Sequence, residues 1–266
     1  MGSFTIEARV KIILPKESKP KSEQPFVHHM KINGDHRKIK GNGLPNHATG
    51  SFPNSALPYP IKKQYYFYKI TAYPQEQYGI RPLHGYAFGI AKNGIPFAAI
   101  TEDKTQNLEV LNQPQRFGLD DNFGHPDRNG AYHYHGLPRD WLAQIGWNSA
   151  SHSPLIGWAR DGFPIYALYG YDQSYRQQKR VTEFRSSYQL RKGKRREGAG
   201  VYDGSYLEDY EFVKDSGDLD ECNGIFVKTP EFPQGTYGYF LTRKWPVIPR
   251  CFKGLPSEDF QLEIKD

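Results

Sequence analysis

The sequence predicts a mainly-β fold: a pseudo-duplicated β-sandwich or barrel with long loops and one or two short helices. Three observations carry that prediction. The 266 residues include 26 glycines and 20 prolines, many in short turn-forming clusters, which leaves little room for long helices. The apolar content, 37%, leans on 19 Tyr, 16 Phe and 4 Trp, side chains that suit pleated strands. The third observation is a degenerate internal repeat, the feature to look for first in any new chain. Phe88–Ala99 (FGIAKNGIPFAA) matches Ile156–Ala167 (IGWARDGFPIYA), Leu119–His125 (LDDNFGH) matches Leu219–Ile225 (LDECNGI), and Gly130–His135 (GAYHYH) matches Gly235–Phe240 (GTYGYF).

In chain order, residues 1–40 are expected to form an N-terminal strand and linker region. The start, MGSFTIEARV, lacks the pattern of a secretory leader, and no apolar run approaches the roughly 18 residues of a membrane span. The duplicated domain should cover 41–254, opening with the turn-rich block Gly41–His47. Its copies span about 84–140 and 155–250. Each begins with a hairpin, because Asn93-Gly94 and Asp161-Gly162 sit between apolar runs and accept the positive φ of a tight turn. Pro138 to Trp147 predicts the one clear helix, with Pro leading and Trp141, Leu142 and Ile145 on a shared face. Residues 255–266 form a tail.

The net charge of +6 is concentrated between Tyr175 and Gly200, where nine lysines and arginines lie. The offset between the copies grows by about 32 residues across this interval, so it reads as an insertion near 174–200. A solvated basic loop is the expectation; aromatic stacking groups at regular spacing are missing, which disfavours nucleic acid. Cys222 and Cys251 are too few for a cysteine metal site. They are either one disulfide closing a loop of about 30 residues or two separate buried thiols.

Tyr132-His133-Tyr134-His135 alternates, so as a strand it shows two imidazoles on one face and two phenols on the other. The second copy supplies an internal control. Where the first has His125, His133 and His135, the second has Ile225, Gly238 and Phe240, while Tyr237 and Tyr239 persist. The tyrosines therefore read as framework, and the histidines as additions the framework does not need. His133 and His135 offer two metal ligands, and the turn Pro126–Gly130 could return His125 to them. His47 is the candidate fourth ligand. Asp120 and Asp121 have acidic counterparts in the second copy and read as turn residues. Asp161 aligns with Asn93, which suits a turn role, and is also the candidate acid/base. His28, His29, His36, His84 and His152 carry no spacing argument.

GAYHYHGLP, with GLPNHATGSFPN, the paired NGIPF and DGFPIY turns, LDECNG and the late Cys-Phe-Lys-Gly, resembles the YHYH-domain family from about Gly41 to Gly254. Many members of that family look secreted or periplasmic. The resemblance thus implies an extracytoplasmic location and favours pairing Cys222 with Cys251. The functional expectation is a metal-dependent enzyme in which one divalent transition metal, zinc or copper, serves hydrolysis or elimination on a small-molecule substrate. Two alternatives stand beside it: a non-enzymatic metal-binding protein, and a metal-free ligand- or glycan-binding module. Glycine loops for phosphate, a nucleophile elbow and a CxxC pair are absent from the sequence.

Overall fold

The computed structural model describes residues 28–85, 87–99, 108–172, 180–195 and 200–259. β1 (His28–Asn33), β2 (His36–Gly41) and β3 (Tyr66–Thr71) form a three-stranded antiparallel sheet, followed by the short β4 (Arg81–Pro82). The first copy supplies β5 (Ala87–Ala91), β6 (Pro96–Ala98), β7 (Gly124–Pro126) and β8 (Tyr132–Tyr134), then helix α1 (Arg139–Gln144). The second begins with β9 (Gly157–Ala159) and β10 (Pro164–Ala167). Two side hairpins interrupt it: β11 (Tyr169–Tyr171) with β12 (Val181–Glu183), and β13 (Tyr188–Leu190) with β14 (Tyr210–Phe212). β15 (Gly224–Val227) and β16 (Thr236–Leu241) complete it, and β17 (Cys251–Phe252) pairs back with β4.

The duplication is visible in the order of the central eight-stranded sheet, β15-β16-β10-β9-β5-β6-β8-β7. One half is the other read backwards. The copies meet where β9 runs antiparallel to β5, with Ile90 opposite Trp158, which are equivalent positions of the repeat. Lys92 N donates to Ile156 O (2.8 Å) and Arg160 N to Phe88 O (3.0 Å), the same bond taken in both senses. A local two-fold axis therefore passes through this junction. The sheet is open, with β15 and β7 as edges, so of the two expected architectures the closed barrel does not form.

Each face of the sheet buries its own core. On one, Phe88, Phe97, Tyr132, Tyr134, Tyr239 and Phe252 join Trp141 and Leu142 of α1. On the other, Ile39, Tyr66, Tyr68 and Ile70 of the three-stranded sheet pack with Ile90, Trp158, Tyr166 and Phe240, giving a sandwich-like second layer. Arg37 fixes that layer: its guanidinium lies 3.5 Å from the centre of the Trp158 ring and donates to Thr71 O at 2.7 Å.

The tyrosines common to both copies tie down the turns. Tyr132 Oη donates to Asp120 Oδ2 at 2.6 Å, and Asp120 Oδ1 accepts from the backbone of Asn122 and Gly124. Tyr237 donates to Asp220 at 3.0 Å, and Asp220 Oδ1 accepts from Cys222 and Gly224. The hydroxyls lie so close over Gly124 and Gly224 that a Cβ at either would collide with them. Cys222 and Cys251 are bonded, fastening this turn of the second copy to β17.

Two expectations need correction. The helix is shorter than the pattern suggested, because Gly146 adopts φ +77° and ends it. The basic insertion is also not a plain solvated loop in its described part. Arg185 pairs with Asp218 (3.0 Å), Arg191 with Glu211 (3.1 Å), and Arg195 with Asp203 (2.6 Å) and the buried Asp209 (2.8 Å). Carboxylates just downstream thus answer its charge. Arg176, Lys179 and Arg196 lie outside the described residues, as does the chain before His28.

Candidate metal centre

β7 and β8 form a hairpin whose turn is held by Asp127: its Oδ1 accepts from Asn129 N and Ala131 N, both at 2.8 Å. The resulting register sets His125 directly opposite His133. Opposite residues of an antiparallel pair share a face, and His135 shares it by the two-residue period of extended backbone. Sequence spacing and one turn therefore suffice to gather three imidazoles.

Their Nε2 atoms converge. His135 Nε2 lies 3.0 Å from His133 Nε2 and 3.1 Å from His125 Nε2, and the three ligand atoms all lie within 4.8 Å of one another. The ring planes are steeply inclined, at 69° to 81°, with centroids 4.7–4.9 Å apart. Nδ1 faces a backbone carbonyl in two of them, Phe117 O for His125 (2.6 Å) and Ala131 O for His133 (2.9 Å); His135 bonds the backbone of Ala98, a bond that falls to Nδ1 because its Nε2 is turned to the other two rings. A carbonyl only accepts, so each Nδ1 carries the proton and each Nε2 presents a lone pair. Three lone pairs this close repel one another. One proton can bridge one pair of them; a single cation satisfies all three.

Burial keeps the rings neutral. It pulls His125 down to about 3, with the neighbouring His133 adding to the effect, and His133 down to about 4. His135 falls well below the ordinary histidine range, through burial first and then His133, His125 and Arg250. The trio is thus deprotonated at neutral pH, as ligation requires. Nitrogens bound to one zinc-like ion at about 2.0–2.1 Å with tetrahedral angles lie about 3.3 Å apart, close to the 3.0 and 3.1 Å that separate His135 Nε2 from the other two. The donor set fits a divalent transition metal. Among the described residues these three are the only such group. His133 and His135 are buried and His125 is partly exposed, so solvent reaches the trio from His125.

The other candidates are not brought to this point. His47 lies on the opposite face of β8, its Nε2 2.5 Å from Tyr134 Oη and its Nδ1 2.7 Å from Ala48 O. Both nitrogens are engaged in framework bonds, so a fourth ligand at His47 is not supplied. Asp161 is buried in the second copy. Its Oδ2 accepts from Tyr239 Oη (2.5 Å) and Gly254 N (2.9 Å), and its Oδ1 from Phe163 N (3.4 Å). Burial raises its pKa to about 6 while these bonds oppose the rise. Asn93 does the equivalent work in the first copy, donating to Tyr134 Oη at 2.8 Å. The geometry gives Asp161 the task of anchoring Tyr239, not an acid/base position at the trio.

One contributor escaped the sequence reading: Ala98. Its carbonyl bonds His135, and it is a small, buried residue of β6. The equivalent residue is Tyr166, whose ring stacks on Phe240 and lies 3.4 Å from where a Cβ on Gly238 would stand. Small residue with histidine in one copy, tyrosine with glycine in the other: the alignment of FAA with IYA contained this exchange.

The scan of family models matches residues 67–254 to one described as YHYH protein. The chain belongs to the YHYH protein family. Neither a curated protein nor a solved structure matches it. In this YHYH protein the tetrapeptide divides by face, its tyrosines holding the framework turns and its histidines forming the cluster.

Proposed function

We propose that this YHYH protein is a metal-dependent enzyme whose metal, zinc or copper, is held by His125, His133 and His135. The observation that carries this reading is the convergence of three Nε2 atoms, on rings each held by a backbone hydrogen bond. Three protein nitrogens with the His125 side partly exposed are the ligand count of a catalytic site that keeps a position for water or substrate. Such a metal would supply Lewis acidity for hydrolysis or elimination on a small molecule, or redox chemistry if it is copper. The chain contributes ligand orientation through Phe117, Ala131 and Ala98, and a dry wall around His133 and His135. An oxidising, extracytoplasmic setting fits the Cys222–Cys251 bond.

Elemental analysis of untagged protein, repeated on His133→Ala and His135→Ala, tests the ligands. One metal per chain is expected, lost in both variants; unchanged content in the variants refutes the site. Cobalt substitution then separates catalysis from storage. A visible spectrum that shifts on adding azide indicates an exchangeable position, and an inert spectrum indicates a non-enzymatic metal-binding protein.

A further inference from the structure

The outward face of the three-stranded sheet carries charge that its own fold does not answer. The register places Lys31, Lys38 and Lys69 directly opposite one another across β1, β2 and β3. The adjoining row holds His29, Lys40 and Phe67, and the next Asn33, His36 and Thr71. Nine side chains on this face thus include four lysines and no carboxylate. Like charges directly opposite on neighbouring strands destabilise a sheet. The ion pairs of the described residues use none of these lysines. Carboxylates stand only at its margin: Asp35 in the turn between β1 and β2, and Asp259 in a shallow recess shared with His36, Lys69 and Thr71.

We propose that this face docks on an anionic phospholipid surface. The cations are spread over three strands about 4.8 Å apart and two rows about 7 Å apart, so that Lys31, Lys69 and Lys40 each lie within about one Debye length of Lys38 at physiological salt. No single phosphate or carboxylate can meet them all, whereas a plane of negative headgroups can. Aromatic groups accompany them: Phe67 is 54% exposed under Lys40, and Tyr65, two residues upstream in the same file, is 87% exposed under Lys63. Such side chains favour the headgroup layer, one end apolar and the rim wet. A single-stranded nucleic acid would call for stacking groups spaced along a groove; here the aromatics lie in one file while the cations cross all three strands.

The test is co-sedimentation of the full chain with vesicles of phosphatidylglycerol and phosphatidylcholine, against phosphatidylcholine alone. Partitioning onto the anionic vesicles is expected, weakening as salt rises. Lys38→Gln and Lys69→Gln should each weaken it about fivefold, and Lys192→Gln with Lys194→Gln in the insertion should leave it unchanged. No partitioning at low salt, equal loss from the insertion variants, or capture of a single-stranded oligonucleotide in place of vesicles would overturn the proposal. Lys38→Glu reports on the premise: it converts the row to alternating sign and should raise the melting temperature, and a fall would remove the argument from repulsion.

Discussion

The two copies share strand order, turn chemistry and tyrosine anchors, yet only one gathers imidazoles. The second fills the equivalent positions with Tyr166 and Phe240, stacked 5.5 Å apart, where the first has Ala98 and His135. This difference separates what the fold requires from what was added to it. Tyrosine, aspartate and glycine at the turns are structural necessities, because both copies keep them. The histidines occupy a volume that aromatic packing fills equally well, at the cost of burying three polar rings.

The comparison breaks most visibly at Ala98. Ala98→Tyr imports the second copy's filler into the first; its ring competes with His133 for one space and should abolish metal binding outright, as measured by metal content. Retained metal would mean that the exchange of volumes is coincidental. Removing the second copy's own tie comes next. Cys222→Ala with Cys251→Ala should cost roughly 3–4 kcal/mol in denaturant unfolding while metal stoichiometry holds, because the disulfide belongs to the half without ligands.

A smaller effect should appear in acid. His133 is held at about 4 when folded, against an ordinary 6.5 when unfolded. Between those values the unfolded chain binds the extra proton, so the stability of metal-free protein is full above pH 6.5 and falls toward pH 4. By pH 5 the loss from this residue is about 2 kcal/mol, and His133→Leu should remove it. Asp120 and Asp161, raised to about 6 by burial, slope the other way and are common to both proteins, so they cancel in the difference between the two curves, which reads His133 together with its effect on His125 and His135. Least of all, Tyr134→Phe should cost about 1 kcal/mol by thermal unfolding, since it frees the neutral Asn93 and His47. Tyr239→Phe should cost more, because it unties the buried carboxylate of Asp161.

Much of this plan was legible in the sequence. Strand alternation and the Pro126–Gly130 turn together place His125, His133 and His135 on one face, since local register needs no long-range information. The repeat marked Tyr132 and Tyr134 as framework in the same way. What escaped depends on which face a distant segment covers. His47 arrives from 87 residues before its partner Tyr134 and settles behind β8, on the side the trio does not use. Asp161 carries an ionisable carboxylate, but its partners, Tyr239 and Gly254, come from beyond an insertion that no local pattern spans. The pairing of Arg185, Arg191 and Arg195 with later carboxylates was hidden for the same reason.

The junction of β5 with β9 has a consequence for how such molecules can be rebuilt. Its geometry is that of a symmetric dimer seam written inside one polypeptide, with Ile90 facing Trp158 across the axis. A protein assembled from two histidine-bearing halves would meet along this seam with each residue opposite its own duplicate. It would hold a pair of identical metal pockets, one at each end of an unbroken sheet.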